Sequence, residues 1–356
     1  SDVYKRQEQW YLKALEFDPQ NVGATLGLGN LLAFSGRADE ALKLLERARL
    51  IDPLHPQVLR QLIHLYGLSG EDHAAFSALE RLYSINASQA YSAEIHLYSD
   101  HNDLAREVYL TEFSREKREV QPGSALANWD AISVLNAGLY SHPLIGGSSF
   151  EPLALALQGD HEAAEALLSQ RQLAGSRNVF DQLSTVLTHM VSGNYDAAGS
   201  LLWRGWIEND RKISSGFHYW TAQLLLSVLL HQERPEVEEV RQVLARSLAE
   251  ASPLHTGNYN VDVAFIAAFS GEEEKALDTL QDMVDEGYWG SRLMGPPGAE
   301  FWPLREHPRF ASLVAGMEEN YQYQLAELAR LRNADLTLAE FHQDYLNRIE
   351  RRPLAP

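Results

Sequence analysis

The sequence predicts an all-α fold, a solenoid of stacked antiparallel helical hairpins, on the strength of two spacings and one packing pattern. The triplet Gly36, Ala41, Leu45 returns 34 residues later as Gly70, Ala75, Leu79. Far downstream, Gly159, Ala164 and Leu168 return at the same step as Gly193, Ala198 and Leu202, and a fifth turn of this kind stands at Gly271 with Ala276 and Leu280 behind it. A fixed period of this length marks a repeat architecture. The packing pattern sets small residues against large ones. Helices joined by a short turn approach closely only where facing side chains are small, so Gly29, Ala41 and Ala48 belong at crossings, with Leu28, Leu32 and Leu45 filling the space between. A turn glycine takes a positive φ that other residues resist. One hairpin cannot bury its own apolar face, so hairpins stack into a superhelix.

In chain order, residues 2–7 (DVYKRQ) resemble the translation of a sequencing adapter of the kind found at the ends of metagenomic reading frames, and 1–7 are set apart from the fold. Residues 8–19 match only the second helix of a repeat, so the first hairpin reads as truncated, with fraying expected before Val22. Full repeats at 22–53 and 56–87 follow, then a third hairpin with helices at 90–98 and 104–117, whose turn lacks glycine; these make an N-terminal block over 8–118. A linker and an irregular helix carrying Trp129 occupy 119–149, and that helix has no evident partner. A second block over 150–290 pairs helices at 150–158 and 161–172, 179–191 and 195–206, 217–232 and 235–249, and 260–269 and 272–285. Pro235 suits the first turn of its helix. An irregular segment and a long capping helix fill 291–332, and 333–356 read as a partly helical, loosely attached tail.

Formal net charge is −19, from 49 acidic and 30 basic residues. This argues against nucleic-acid or anionic-membrane binding by this region, since both require basic patches. With no cysteine, disulfides, thiolate metal sites and cysteine nucleophiles are excluded. The longest apolar run, around 224–230, is far short of the roughly 18 residues of a membrane span. The composition suits a cytoplasmic protein, or a periplasmic one if a membrane span precedes these residues. His96 and His101 are five apart and share no helix face, while His161, Glu162 and Glu165 sit in the first turn of a repeat helix, where acids favour the dipole. Neither set has usual metal-ligand spacing, and neither a phosphate loop nor a nucleophile with its base is evident. The chain reads as non-enzymatic, with no cofactor.

The 34-residue hairpin resembles the tetratricopeptide repeat (TPR), and the fold is read as a TPR-type α-solenoid. The segment 260–332, with VAFIAAFSGEEEKALDTL and then FWPLREHPRFASLV, resembles the C-terminal end of TPR regions in bacterial signalling proteins. Those carry a class III adenylate or guanylate cyclase domain or a winged-helix DNA-binding domain. The resemblance implies a partner-binding or sensing role for a protein or peptide ligand and transfers no catalytic residue. In TPR hairpins the first helices line a groove. Counting from Val22 and Pro56, the fifth and ninth positions are Leu26 and Asn30, then Arg60 and His64. Asn30, Arg60 and His64 are the candidate peptide groove, the amide bonding a peptide backbone and the arginine a carboxylate. The carboxylate-clamp type of TPR has lysine where Leu26 stands, so that ligand class is not implied. In the run Phe217, His218, Tyr219, Trp220, four rings in a row cannot all face one core. Phe217, Tyr219 and Trp220 form a candidate aromatic patch, the alternative being rings that fill gaps between repeats.

Overall fold

The computed structural model describes residues 2–34, 37–115, 117–118, 120–121, 124–173, 178–213, 216–250 and 259–350. Among these the regular structure is helical and no strand occurs. The chain divides into two compact units, one comprising Ser1–Glu119, Ala251–Tyr259 and Gln324–Pro356, the other Val120–Glu250 and Asn260–Tyr323.

The first unit opens with α1 (Asp2–Phe17), α2 (Val22–Phe34), α3 (Ala38–Ile51), α4 (Pro56–Leu68), α5 (Asp72–Ile85), α6 (Ala87–Asp100) and α7 (Leu104–Ser114). Helices α2 and α3, α4 and α5, and α6 and α7 pack as hairpins, and the first helices α2, α4 and α6 also pack in succession. Ala41, Leu45, Ala48, Ala75 and Leu79 are fully buried, as the small-and-large pattern requires. A Cβ on Gly29 would lie 2.9 Å from Leu45 Cδ2, so glycine sets the distance of closest approach between α2 and α3.

The second unit holds α8 (Ala125–Asn136), α9 (Glu151–Leu157), α10 (His161–Leu173), α11 (Val179–Val191), α12 (Tyr195–Glu208), α13 (Gly216–His231), α14 (Val237–Glu250), α15 (Tyr259–Phe269), α16 (Glu273–Asp285) and a 3-10 turn at Ala299–Leu304. Helices α9 and α10, α11 and α12, and α13 and α14 pack as hairpins. Ala164, Ala198 and Ala276 are fully buried, repeating the first unit's rule. Helix α17 (Pro308–Ala334) contributes residues to both units, and α18 (Leu338–Glu350) belongs to the first.

The glycine turns share one geometry. Gly70, Gly159, Gly193 and Gly271 have φ of 73°, 87°, 75° and 77°. In each, the next residue's N–H donates to the carbonyl four residues before the glycine: Glu71 to Tyr66, Asp160 to Leu155, Asn194 to His189 and Glu272 to Ala267. This bond closes a helix end that otherwise leaves carbonyls unpaired. Gly36 lies outside the described residues. In the glycine-free third turn Asn102 takes the same role at φ 54°, with Asp103 donating to Tyr98. Helix starts are capped by side chains as well: Asn86 accepts from Gln89 N–H, Asp103 from Arg106, Asn178 from Asp181 and Asn194 from Ala197.

Three details differ from the sequence reading. Helix α14 begins at Val237, so Pro235 sits in the turn before it. The Trp129 helix, α8, finds partners in its own unit: Asn128 Oδ1 accepts from Ser149 N–H at 2.7 Å, and the Trp129 ring meets Phe180 of α11 edge-on at 5.7 Å. The segment expected to be a loose tail forms α18, with Phe341 and Tyr345 buried.

Candidate functional site

On α4 an i, i+4 spacing puts Arg60 and His64 on one face, both half-buried. On the adjacent α2, Asn30 is half-buried and its Oδ1 is a buried acceptor with no hydrogen-bond partner. A buried amide oxygen in that state carries an unmet desolvation cost that a bound N–H would relieve. Leu26 turns to the core shared by α2, α3 and α4. Nearby, Tyr66 donates to Glu46, which also pairs with Arg49 at 2.6 Å, so that part of the surface is internally satisfied.

In the second unit the aromatic run divides. Tyr219 and Trp220 are half-buried and the Phe217 side chain lies outside the described residues. His218, between them in sequence, lines a cavity of about 750 Å³ together with Thr221, Ala222 and Leu225 of α13, Thr185 and Val186 of α11, and Leu202 and Trp206 of α12. The i, i+3, i+4, i+7 face of α13 thus looks into the cavity, while Tyr219 and Trp220 stand on other faces. Asp181, Arg204, Glu208 and Lys212 give it a rim of both charges. Gly205 opens it further, because a Cβ there would meet nothing within 4 Å. Trp203 lies under Arg211 and Arg234 at 5.8 and 6.0 Å, and Trp206 Nε1 donates to Glu239 at 3.2 Å. These contacts place both tryptophans in roles that the sequence pattern did not specify. Away from the cavity-lining face of α13, Gln223 Nε2 donates to Asp262 Oδ1 at 2.8 Å; burial raises the Asp262 carboxyl to about 6, with that bond opposing the shift.

A third cluster went unread in the sequence. The Glu94 carboxylate is fully buried and accepts from Tyr83 and Tyr98 hydroxyls at 2.6 and 2.7 Å, and His342 Nε2 of α18 lies 2.9 Å away. Burial and the charge of Glu94 push the Tyr98 hydroxyl well above its ordinary pKa, so it stays a donor. Arg106, also fully buried, donates to Asp103 at 3.1 Å and to Asp344 of α18.

Stacked helical hairpins, with successive first helices packed together in the first unit, define a helical-repeat protein. The tetratricopeptide repeat family model matches residues 11–62, from α1 into α4, and with the all-helical hairpins this supports a TPR protein with a TPR-type fold. None of the curated proteins compared with it matches the chain. TPR repeats generally mediate protein–protein interaction and are typically non-catalytic. Among the described residues no helix is long and apolar enough to cross a membrane.

Proposed function

We propose that the protein is a non-catalytic scaffold for protein–protein interaction, the partner-binding TPR region of a larger bacterial signalling protein. Its groove along α2 and α4 takes an extended peptide: Asn30 Oδ1 accepts a peptide N–H, and Arg60, with His64 beside it, faces a carboxylate. The observation that carries this is the buried, unpartnered Asn30 Oδ1 on a helix packed against the one bearing Arg60 and His64. Peptides selected for binding from a random display library test it. Asn30→Ala and Arg60→Ala are each expected to weaken the selected peptides about tenfold, the range of one charge-assisted or buried hydrogen bond. Unchanged affinity in both variants would remove the groove assignment.

The mixed-charge cavity favours a second reading, a ligand-sensing domain that regulates a cyclase or DNA-binding output domain. Its size falls in the range of small-molecule sites. Gly205→Trp fills it from a position with open space, so the variant is expected to fold while losing any ligand found by a thermal-shift screen of metabolites. Retention of the ligand shift by that variant places the ligand elsewhere.

A further inference from the structure

Helix α18 is held like a ligand. It lies on a trough with α5 and α7 as its walls and α6 as its floor: Phe76 and Tyr83 come from α5, Glu94 and Tyr98 from α6, and Arg106 and Tyr109 from α7. Two aromatic anchors enter the trough, a turn apart. Phe341 meets Tyr98 edge-on at 5.7 Å and Tyr109 at 5.1 Å, and Tyr345 meets Phe76 at 5.3 Å and Tyr98 at 5.0 Å. Each polar residue of that face meets its complement. His342 reaches Glu94, Asp344 reaches Arg106 and, at 2.6 Å, Arg330 of α17, and Arg348 stands 3.5 Å from Asp103. The Tyr345 hydroxyl bonds His101 Nδ1 at 2.6 Å.

What distinguishes this contact from an ordinary helix packing is that each of the trough's buried charges keeps a partner of its own without α18. Glu94 keeps the hydroxyls of Tyr83 and Tyr98, and Arg106 keeps Asp103 and, at 3.5 Å, Glu327 of α17. Withdrawal of α18 therefore orphans neither ion, the condition that usually makes such an opening prohibitive. The occupant is also self-contained as a helix. Thr337 and Glu340 form a reciprocal capping box, Glu340 N–H to Thr337 Oγ1 at 3.3 Å and Thr337 N–H to Glu340 Oε2 at 2.9 Å. The short connection from α17 turns at Asp335, whose φ of 45° is strained for a non-glycine residue.

We propose that the α5–α6–α7 trough is a helix-binding site whose resident occupant is α18, and that an amphipathic partner helix of the same chemistry takes its place. That chemistry is aromatic residues at i and i+4, a base at i+1 and a carboxylate at i+3, read from Phe341, Tyr345, His342 and Asp344. The site is separate from the groove of Asn30, Arg60 and His64, and the proposal stands or falls independently of it.

The test uses the full chain and a fluorescein-labelled synthetic peptide of residues 338–350. In the double variant Phe341→Ala/Tyr345→Ala the tethered helix is released, and saturable binding of the peptide is expected. The unaltered chain is expected to bind at least about tenfold more weakly, because its own α18 competes at a millimolar-order effective concentration. A peptide carrying Asp344→Lys and His342→Glu is expected to lose binding by more than about tenfold. A helical released variant that ignores the peptide, or equal binding of the charge-exchanged peptide, overturns the proposal. If the released variant does not fold, hydrogen exchange on the unaltered chain decides. Amides of α18 are expected to exchange together and faster than those of α6 and α7, and exchange at the same rate as those helices makes α18 an integral cap and overturns the proposal. A concentration-dependent dimer abolished by Tyr345→Ala overturns the partner-helix assignment in favour of exchange between copies.

Discussion

Ala41, Ala75 and Ala105 in the first unit and Ala164, Ala198 and Ala276 in the second are buried at helix crossings of the same kind, yet the two units bury polar groups in different ways. In the first, full charges go inside as matched sets, Glu94 among hydroxyls and His342, Arg106 among Asp103, Asp344 and Glu327. In the second, the buried Arg292 pairs with a more exposed Glu318 at 2.9 Å, and aromatic side chains anchor irregular segments through single bonds: Trp302 Nε1 to Ser227 at 3.0 Å, Tyr288 to Glu300 at 3.0 Å, and Tyr321 to the Ala137 carbonyl at 2.7 Å. The crossing distance of two helices dictates the small residues and so repeats wherever a hairpin repeats. Nothing in hairpin geometry dictates the polar solution, so each unit carries its own.

The sharpest way to break this contrast is Arg106→Ala. Removing the cation leaves Asp103 nearly fully buried, with Arg348 at 3.5 Å as its remaining cation, and takes from Asp344 one of its two arginines. A loss of about 3–5 kcal/mol in urea denaturation is expected, the usual penalty for breaking a buried ion set from one side. A loss below about 1 kcal/mol would mean that the first unit gains little from its buried charges. In the second unit Trp302→Phe removes the bond to Ser227 and part of the indole's packing while keeping an aromatic ring beside Phe269, so a loss of about 1–2 kcal/mol is expected.

Asp262 sharpens the comparison through pH. Its folded pKa of about 6 exceeds its ordinary 3.8, so the folded state binds the proton more tightly. The stability this gives is fully present below the unfolded pKa and is lost as pH rises through about 6. Asp262→Asn is therefore expected to stabilise the protein at pH 7–8 by on the order of 1–2 kcal/mol and to have little effect near pH 4. Equal urea midpoint shifts at both pH values would show that the gain has another origin.

Much of the fold was legible because its rules are local. A turn glycine followed five residues later by alanine and nine later by leucine is a crossing written in sequence, and α11, Val179–Val191, has the boundaries its spacing predicts. The sites were legible only in part. Asn30, Arg60 and His64 share a repeat register, so counting brought them onto neighbouring helices. The aromatic run was visible, but which of its rings faces the cavity depends on the rotation of α13 against α11 and α12, and among the described side chains of the run only His218 does so. Helix α18 carried local signs, the Thr337–Glu340 capping box and aromatics four apart, but its partners Arg106 and Glu94 lie 238 and 248 residues away from Asp344 and His342. No periodicity encodes such pairings.

The smallest effects lie in the turns, where the two units agree and the third hairpin departs. A Cβ on Gly70 would touch nothing within 4 Å, so Gly70→Ala introduces no clash, and its effect is the conformational preference alone. At φ 73° that preference disfavours alanine by about 1–2 kcal/mol. Gly193→Ala, in the second unit at φ 75° and equally open, is expected to lose the same amount, because the turn and its bond pattern are shared. Asn102 already adopts the left-handed conformation at φ 54°, and asparagine tolerates it better than most residues. Asn102→Gly relieves what strain is left but frees the unfolded chain, two effects that oppose each other, so a net gain of no more than about 0.5 kcal/mol is expected. Urea midpoints of the three variants give the comparison directly. If Asn102→Gly gained as much as Gly70→Ala lost, asparagine would be a strained stand-in, and the glycine-free turn of the third hairpin would be a defect rather than a second solution to the same turn.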